Sequence, residues 1–261
     1  MTHLHLPDGV LPAWLWIAGL VGAAIVVLAT SIAITRQPDA RRRVPIVAVT
    51  AALIVVAMSV PIVPIAYHVN LSVVAGVILG PIFAPIVALI VQLTLWLMGH
   101  GGATTLGLNT LILSLEMVLG WAFTVGLVRL TRGMVSLRWS TALATVVTLA
   151  LTTTLVLGIV STIGDTVPAA HDHAGETAAE HEAEHEDAHA AESGETVSLS
   201  LYAKTLYTLG PIGWLVEAAV GFVVIGFLAS VRPTLLPPSV RRYARRSSRH
   251  DDGAPNDAGE A

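Results

Sequence analysis

The stretch that decides the architecture is Leu71–Met98, LSVVAGVILGPIFAPIVALIVQLTLWLM. It is almost wholly apolar. As one membrane crossing it is too long, because about 20 apolar residues span a bilayer. It also carries its own punctuation. Gly80-Pro81 is a turn signal, and Pro85 lacks the N–H that a helix interior needs. The stretch therefore divides into a short segment, Leu71–Leu79, and a second one, Ile82–Met98. Five more apolar runs lie outward from it: Trp14–Thr35 and Pro45–Ile65 on one side, Asn109–Arg129, Thr141–Ile163 and Thr205–Val231 on the other. The expected fold is all-α, a polytopic membrane protein with about seven transmembrane helices.

Composition points the same way. Of 261 residues, 54% are hydrophobic and 12% charged, and the mean hydropathy is +0.73. Soluble domains carry about 25% charged residues. Half that density cannot coat a water-facing surface. There is no cysteine, which excludes disulfides, thiolate metal sites and cysteine nucleophiles. The basic residues sit in short clusters beside apolar runs, without interleaved aromatics, so nucleic acid is not an expected partner.

Dividing Leu71–Met98 also sets the orientation. With seven spans, Arg36, Arg41, Arg42, Arg43, Arg129, Arg132, Arg138, Arg232, Arg241, Arg242, Arg245, Arg246 and Arg249 share one side, and Lys204 alone falls on the other. Loops rich in Lys and Arg stay in the cytoplasm. The N-terminus is then outside and the C-terminus cytoplasmic. Six spans would scatter the arginines over both faces. The start lacks the basic region of a signal peptide, and its first apolar run is full length. The tail from about Ser239 is Arg-rich, then Asp/Gly/Pro-rich, and reads as disordered beyond a basic stretch at the membrane surface.

On this topology nine of the ten histidines lie outside: His3, His5, His68, His100, His171, His173, His181, His185 and His189. Histidine is the commonest metal ligand. Their concentration on one face of a charge-poor protein suggests transition-metal handling. The last five occupy the loop Asp165–Glu195, with ten Asp/Glu and no Lys or Arg. That loop is either a low-affinity antenna for cations or a hydrophilic connector. The opening, MTHLHLPDGVLPAWLW, is sharper. A free amine, two deprotonated amides and a nearby imidazole, as in Met1-Thr2-His3, can fill a square plane; where histidine directly follows the amine, one end supplies three nitrogens and a distant imidazole completes the set. Such coordination selects Ni(II) or Cu(II). His68, in PIAYHVNLS, is the natural distant ligand. Equally, His3 and His5 are polar residues at an exposed end.

Further polar residues surround this outer face. The loop MGHGGATTLGLN carries His100 and ends at Asn109, which either lines a pocket or caps the next helix. Glu116 and Glu217 fall inside apolar spans, where carboxylates are costly and suggest function. Hydrogen-bonded packing is the plainer reading of both. Gly22, Gly76, Gly120 and Gly126 allow close helix approach, within the chain or against a partner.

HLPDGVLP, YHVNLSVVAGVILGP, GHGGATTLGLNTLILSLEMVLG and VRPTLL occur in this order. Together they resemble the substrate-specific membrane component of cobalt/nickel energy-coupling-factor transporters, the CbiM/NikM family. The resemblance covers nearly the whole chain except the acidic loop and the tail. It implies seven helices and capture of Co(II) or Ni(II) outside the cell. It also implies a ligand set: the N-terminal amine, the amide and imidazole of a histidine just after it, and a second histidine. His68 matches the second histidine and His5 the first. Asp8 and Gly9 would shape the plug, and Asn109 matches the asparagine of the Gly-rich loop. Asp8, His100, Asn109 and Glu116 are then candidates to surround the ligands.

Three departures stand out. The family usually begins Met-His. Here either Leu4 is the true start and His5 the ligand, or Met1 is trimmed and Thr2-His3 supplies the pair. His100 replaces a residue that is usually acidic. Gly210 stands where a histidine is expected before Glu217.

No G-x-x-x-x-G-K-[S/T] loop is present to cradle phosphates. The resemblance therefore implies partners in the bilayer and beneath it: a transmembrane coupling protein, two cytoplasmic ATPases and a small accessory membrane protein. The domain reading is one transmembrane metal-capture domain over 1–163 and 196–238, the acidic loop at 164–195, and the tail at 239–261. Rival readings are an autonomous secondary metal transporter or exporter and an intramembrane metalloenzyme. For the latter the sequence offers only HEAEH, His181–His185, within the acidic loop.

Overall fold

A computed structural model describes residues 11–37, 40–59, 68–99, 101–162, 166–168 and 196–243. Helices occupy all seven apolar segments: α1 (Ala13–Thr35), α2 (Ala40–Ser59), α3 (Ser72–Leu79), α4 (Ala84–Leu97), α5 (Leu106–Leu130), α6 (Leu137–Ser161) and α7 (Leu199–Val231). Five of them (α1, α2, α5, α6 and α7) are long and apolar enough to cross a membrane. Leu71–Met98 breaks where its glycine and prolines dictate. Gly80 takes φ 81°, a conformation that suits glycine, residues 81–83 form a turn, and Pro85 sits in the first turn of α4, where no N–H is needed.

The outer faces suit a bilayer. Trp14, Ile17, Val21, Ile25, Leu28 and Ile32 of α1 are exposed, and only Gly19 and Ala23 of that helix are buried. In water so apolar a face would aggregate. The interior is organised around α3 and α5. Every residue of α3 is buried. A Cβ at Gly76 would collide with the backbone of Met117 in α5, and one at Gly120 would stand 2.7 Å from Val73 Cγ1. A second close crossing joins α1 and α5, where Gly107 lies against the Gly19–Leu20 backbone. Gly76 and Gly120 thus serve contacts within the chain. Gly22 meets Leu111 Cδ1, and Gly126 meets nothing.

Two features differ from the sequence reading. The all-α bundle carries one small antiparallel ladder, Thr166–Pro168 with Thr196–Ser198, and Val167 pairs with Val197. It ties together the two ends of the acidic segment. The second lies at the start of the expected tail. Residues 238–243 are helical, and Leu236 and Val240 are buried in the core. Arg129 Nε donates to Tyr243 Oη at 3.2 Å, and Trp121 Nε1 to Ser239 Oγ at 3.4 Å.

Candidate functional site

The 28-residue stretch opens on a coil, residues 68–71, whose last residue is Leu71 and which enters the bundle as irregular backbone. Its depth follows from its partners. Asn70 Nδ2 donates to Glu116 Oε2 at 2.5 Å. Glu116 lies ten residues into α5, roughly 15 Å along the helix at 1.5 Å per residue. Non-helical backbone survives at such depth only when protein surrounds it and satisfies its polar groups. Here Asn70 is gripped twice. Its backbone N–H donates to Glu217 Oε1 of α7 at 3.1 Å, while its amide holds α5. Asn70, Glu116 and Glu217 are all buried.

The other oxygen of Glu116 is also occupied. Thr152 Oγ1 of α6 donates to Oε1 at 3.0 Å. The Ser72 hydroxyl lies beside the same carboxylate, outside strict hydrogen-bond geometry. Leu71, next to Asn70, is left-handed at φ 56°, a strained conformation for leucine. One residue thus binds two carboxylates from two helices, and a third helix fixes the first carboxylate.

His68 stands two residues before Asn70. It is half-buried, and its Nδ1 is enclosed. Leu11, the first described residue, is buried in a cluster with Leu108, Val156 and Val160, two turns of α5 above Glu116. Asn109 is buried beside that cluster, but it does not cap the helix. The helix starts at Leu106 after Thr105, and the Asn109 N–H bonds to Thr105 O at 2.9 Å. Its side-chain oxygen has no hydrogen-bond partner among the described residues. Thr105 closes the Gly-rich loop through bonds with Gly102.

The structure brings Glu116 and Glu217 together through Asn70, with His68 two residues before it in the same coil. Met1, Thr2, His3, His5, Asp8, His100, His171, His173, His181, His185 and His189 lie outside the described residues. Among the described residues no group of three or more His, Asp or Glu could hold a metal ion. Sequence reasoning missed Asn70 and Thr152. Asn70 stood in the quoted YHVNLS. Thr141, Thr145, Thr148 and Thr152 of α6, all buried, form a stripe at three- and four-residue spacing that was legible as one helix face.

A search of curated protein sequences gives no significant match. Among solved structures, one described as a truncated transition metal transporter superposes with a TM-score of 0.61 at 20% identity, covering 86% of this chain and 98% of that one. At that identity the likeness establishes the fold alone. The family model described as the cobalt uptake substrate-specific transmembrane region, CbiM, matches residues 5–235, so the chain belongs to that family of multi-pass membrane transport proteins.

Proposed function

We propose that this chain is the substrate-capture subunit of an ATP-driven energy-coupling-factor transporter, taking Co(II) or Ni(II) from outside the cell. The ion is the cargo. Its ligands are the N-terminal amine, the amide and imidazole of His5 or, with the earlier start, His3, and the imidazole of His68. Seven crossings put the capture face outside and the arginine clusters inside. A transmembrane coupling protein, two cytoplasmic ATPases and a small accessory membrane protein supply the work, and the acidic loop serves as a cation antenna.

The observation that carries this reading is the placement of His68 on a coil sunk among α3, α5 and α7 and anchored through Asn70. Leu11 enters the same end of the bundle. It lies six positions after His5, an extended reach of up to roughly 20 Å. The chelate can therefore form from both ends. Purified protein with His68→Ala should lose metal retention, measured as metal per protein after desalting. Full retention would exclude the site.

One observation favours a second reading. Two buried carboxylates at membrane depth, Glu116 and Glu217, are what an autonomous secondary transporter would use. Uptake by this chain in cells lacking the ATPases decides between the two. The proposed subunit requires them, and a secondary transporter does not.

A further inference from the structure

We propose that Asn70 is the positioning residue for His68, and that Glu116 and Glu217 act through it to set which cation the site accepts. The inference rests on the capture reading and deepens it.

A ligand carried on coil is poorly placed for selective coordination, which tolerates errors of only about 0.5 Å. His68 has no helix of its own. Residues 69–71 set where its backbone lies. After it, α3 is fully buried and locked to α5 by Gly76 and Gly120. That lock sets the register of Asn70 against Glu116. At the coil itself, Asn70 is fixed in both position and orientation. One donor is main-chain and one is side-chain, and they bind different helices. Thr152 holds Glu116 Oε1, which leaves Oε2 for Asn70. The left-handed Leu71 persists because both neighbours are pinned.

Buried carboxylates are a poor way to gain stability, since apolar side chains of the same size usually serve packing as well or better. Their best-attested use is to specify one arrangement over others. Here both are engaged with the residue two positions from the candidate ligand. Outer partners of metal ligands typically matter 10–100-fold in affinity. A planar nitrogen site needs its imidazole in one place. A loosened His68 can swing out of the plane and meet a tetrahedral ion such as Zn(II).

The test uses full-length protein in detergent with Ni(II) alone and Zn(II) alone, by calorimetry, together with the visible absorption of planar Ni(II). Asn70→Ala should lose about 10–100-fold in Ni(II) affinity. The preference for Ni(II) over Zn(II) should shrink, and the planar band should weaken, while the protein still unfolds cooperatively. Glu116→Gln keeps a carbonyl oxygen to accept from Asn70 and turns its amide N–H toward Thr152 Oγ1, a hydroxyl that can accept, so it should retain most of the preference, whereas Glu116→Ala should not. If folded Asn70→Ala matches the wild type in affinity and preference, the proposal is overturned. It is also overturned if both ions weaken in equal proportion with the band unchanged, because that marks a merely structural role. If Asn70→Ala does not fold, the Gln-versus-Ala comparison at Glu116 decides by the same criteria. His68→Ala run in parallel separates the two ideas. If it keeps Ni(II), the capture reading fails. If it loses Ni(II) while Asn70→Ala does not, only the positioning role fails.

Discussion

Gly76→Ala should loosen the site without touching it. The added Cβ would stand 2.7 Å from the carbonyl carbon of Met117 and 2.9 Å from its Cα, and closer still to the carbonyl oxygen. Ordinary carbon contacts begin near 3.5 Å, so α3 must retreat from α5 by about 0.8 Å or more. No rotamer can relieve the clash, because the obstructing atoms are backbone. Overpacking of this kind costs about 1–3 kcal/mol. The retreat also pulls Asn70 from Glu116, whose bond is 2.5 Å long. Loss of that support predicts about a 10–100-fold fall in metal affinity. The assay is Ni(II) calorimetry beside thermal unfolding followed by tryptophan fluorescence. Gly126→Ala is the control: it lies in the same bundle with nothing within 4 Å of an added Cβ. It should be neutral or stabilising by up to about 1 kcal/mol, as alanine is the better helix former. If Gly76→Ala keeps both the unfolding midpoint and the affinity, the close α3–α5 crossing is not what sets the coil.

Two further substitutions probe either end of the bundle. Thr152→Val leaves Glu116 Oε1 without its donor at nearly constant volume and should cost about 1–3 kcal/mol. The unfolding midpoint should fall, while Thr152→Ser stays close to the wild type. Val240→Ala removes two buried methyl groups at the C-terminal end of the described chain and should lower stability by about 2 kcal/mol, with metal affinity unchanged. Deleting residues 244–261 should leave the midpoint where it is.

How legible the sequence was depends on the kind of signal. The break in Leu71–Met98 was readable because Gly80, Pro81 and Pro85 act locally: glycine takes the positive φ of a turn at no cost, and proline is tolerated only where a helix needs no N–H, in its first turn. Glu116 and Glu217 were readable because a carboxylate in an apolar run has no cheap explanation. The glycines were not separable. Where a helix is apolar all round, periodicity does not tell which side faces protein and which faces lipid. So Gly76 and Gly126 looked alike, although one is jammed against Met117 and the other is open. The three-residue ladder at Thr166–Pro168 was invisible because so short a strand has no pattern to show. The start of α5 was misplaced by three residues, since Thr105 ends the loop and Asn109 already lies inside the helix.

Asn70 escaped for a different reason. One asparagine beside a histidine reads as the polar end of a span. Its meaning depends on how deep the coil sinks, and depth is a tertiary property. The physics that fixes it can be stated in reverse. A helix of eight residues covers about 12 Å, which is less than half of a hydrocarbon core of roughly 30 Å. If Leu71–Leu79 belongs to a crossing at all, the remainder must be irregular backbone at depth. Such backbone is tolerable only where side chains satisfy it. A short buried helix after a histidine, together with two otherwise unexplained carboxylates in distant spans, therefore already demands a bridging donor near the histidine. Asn70 in that coil has both a main-chain and a side-chain donor aimed at those two carboxylates. The cost of unwinding the chain and the cost of burying the carboxylates are thus one problem with one solution, and that solution sits two residues from the imidazole assigned to the proposed capture site.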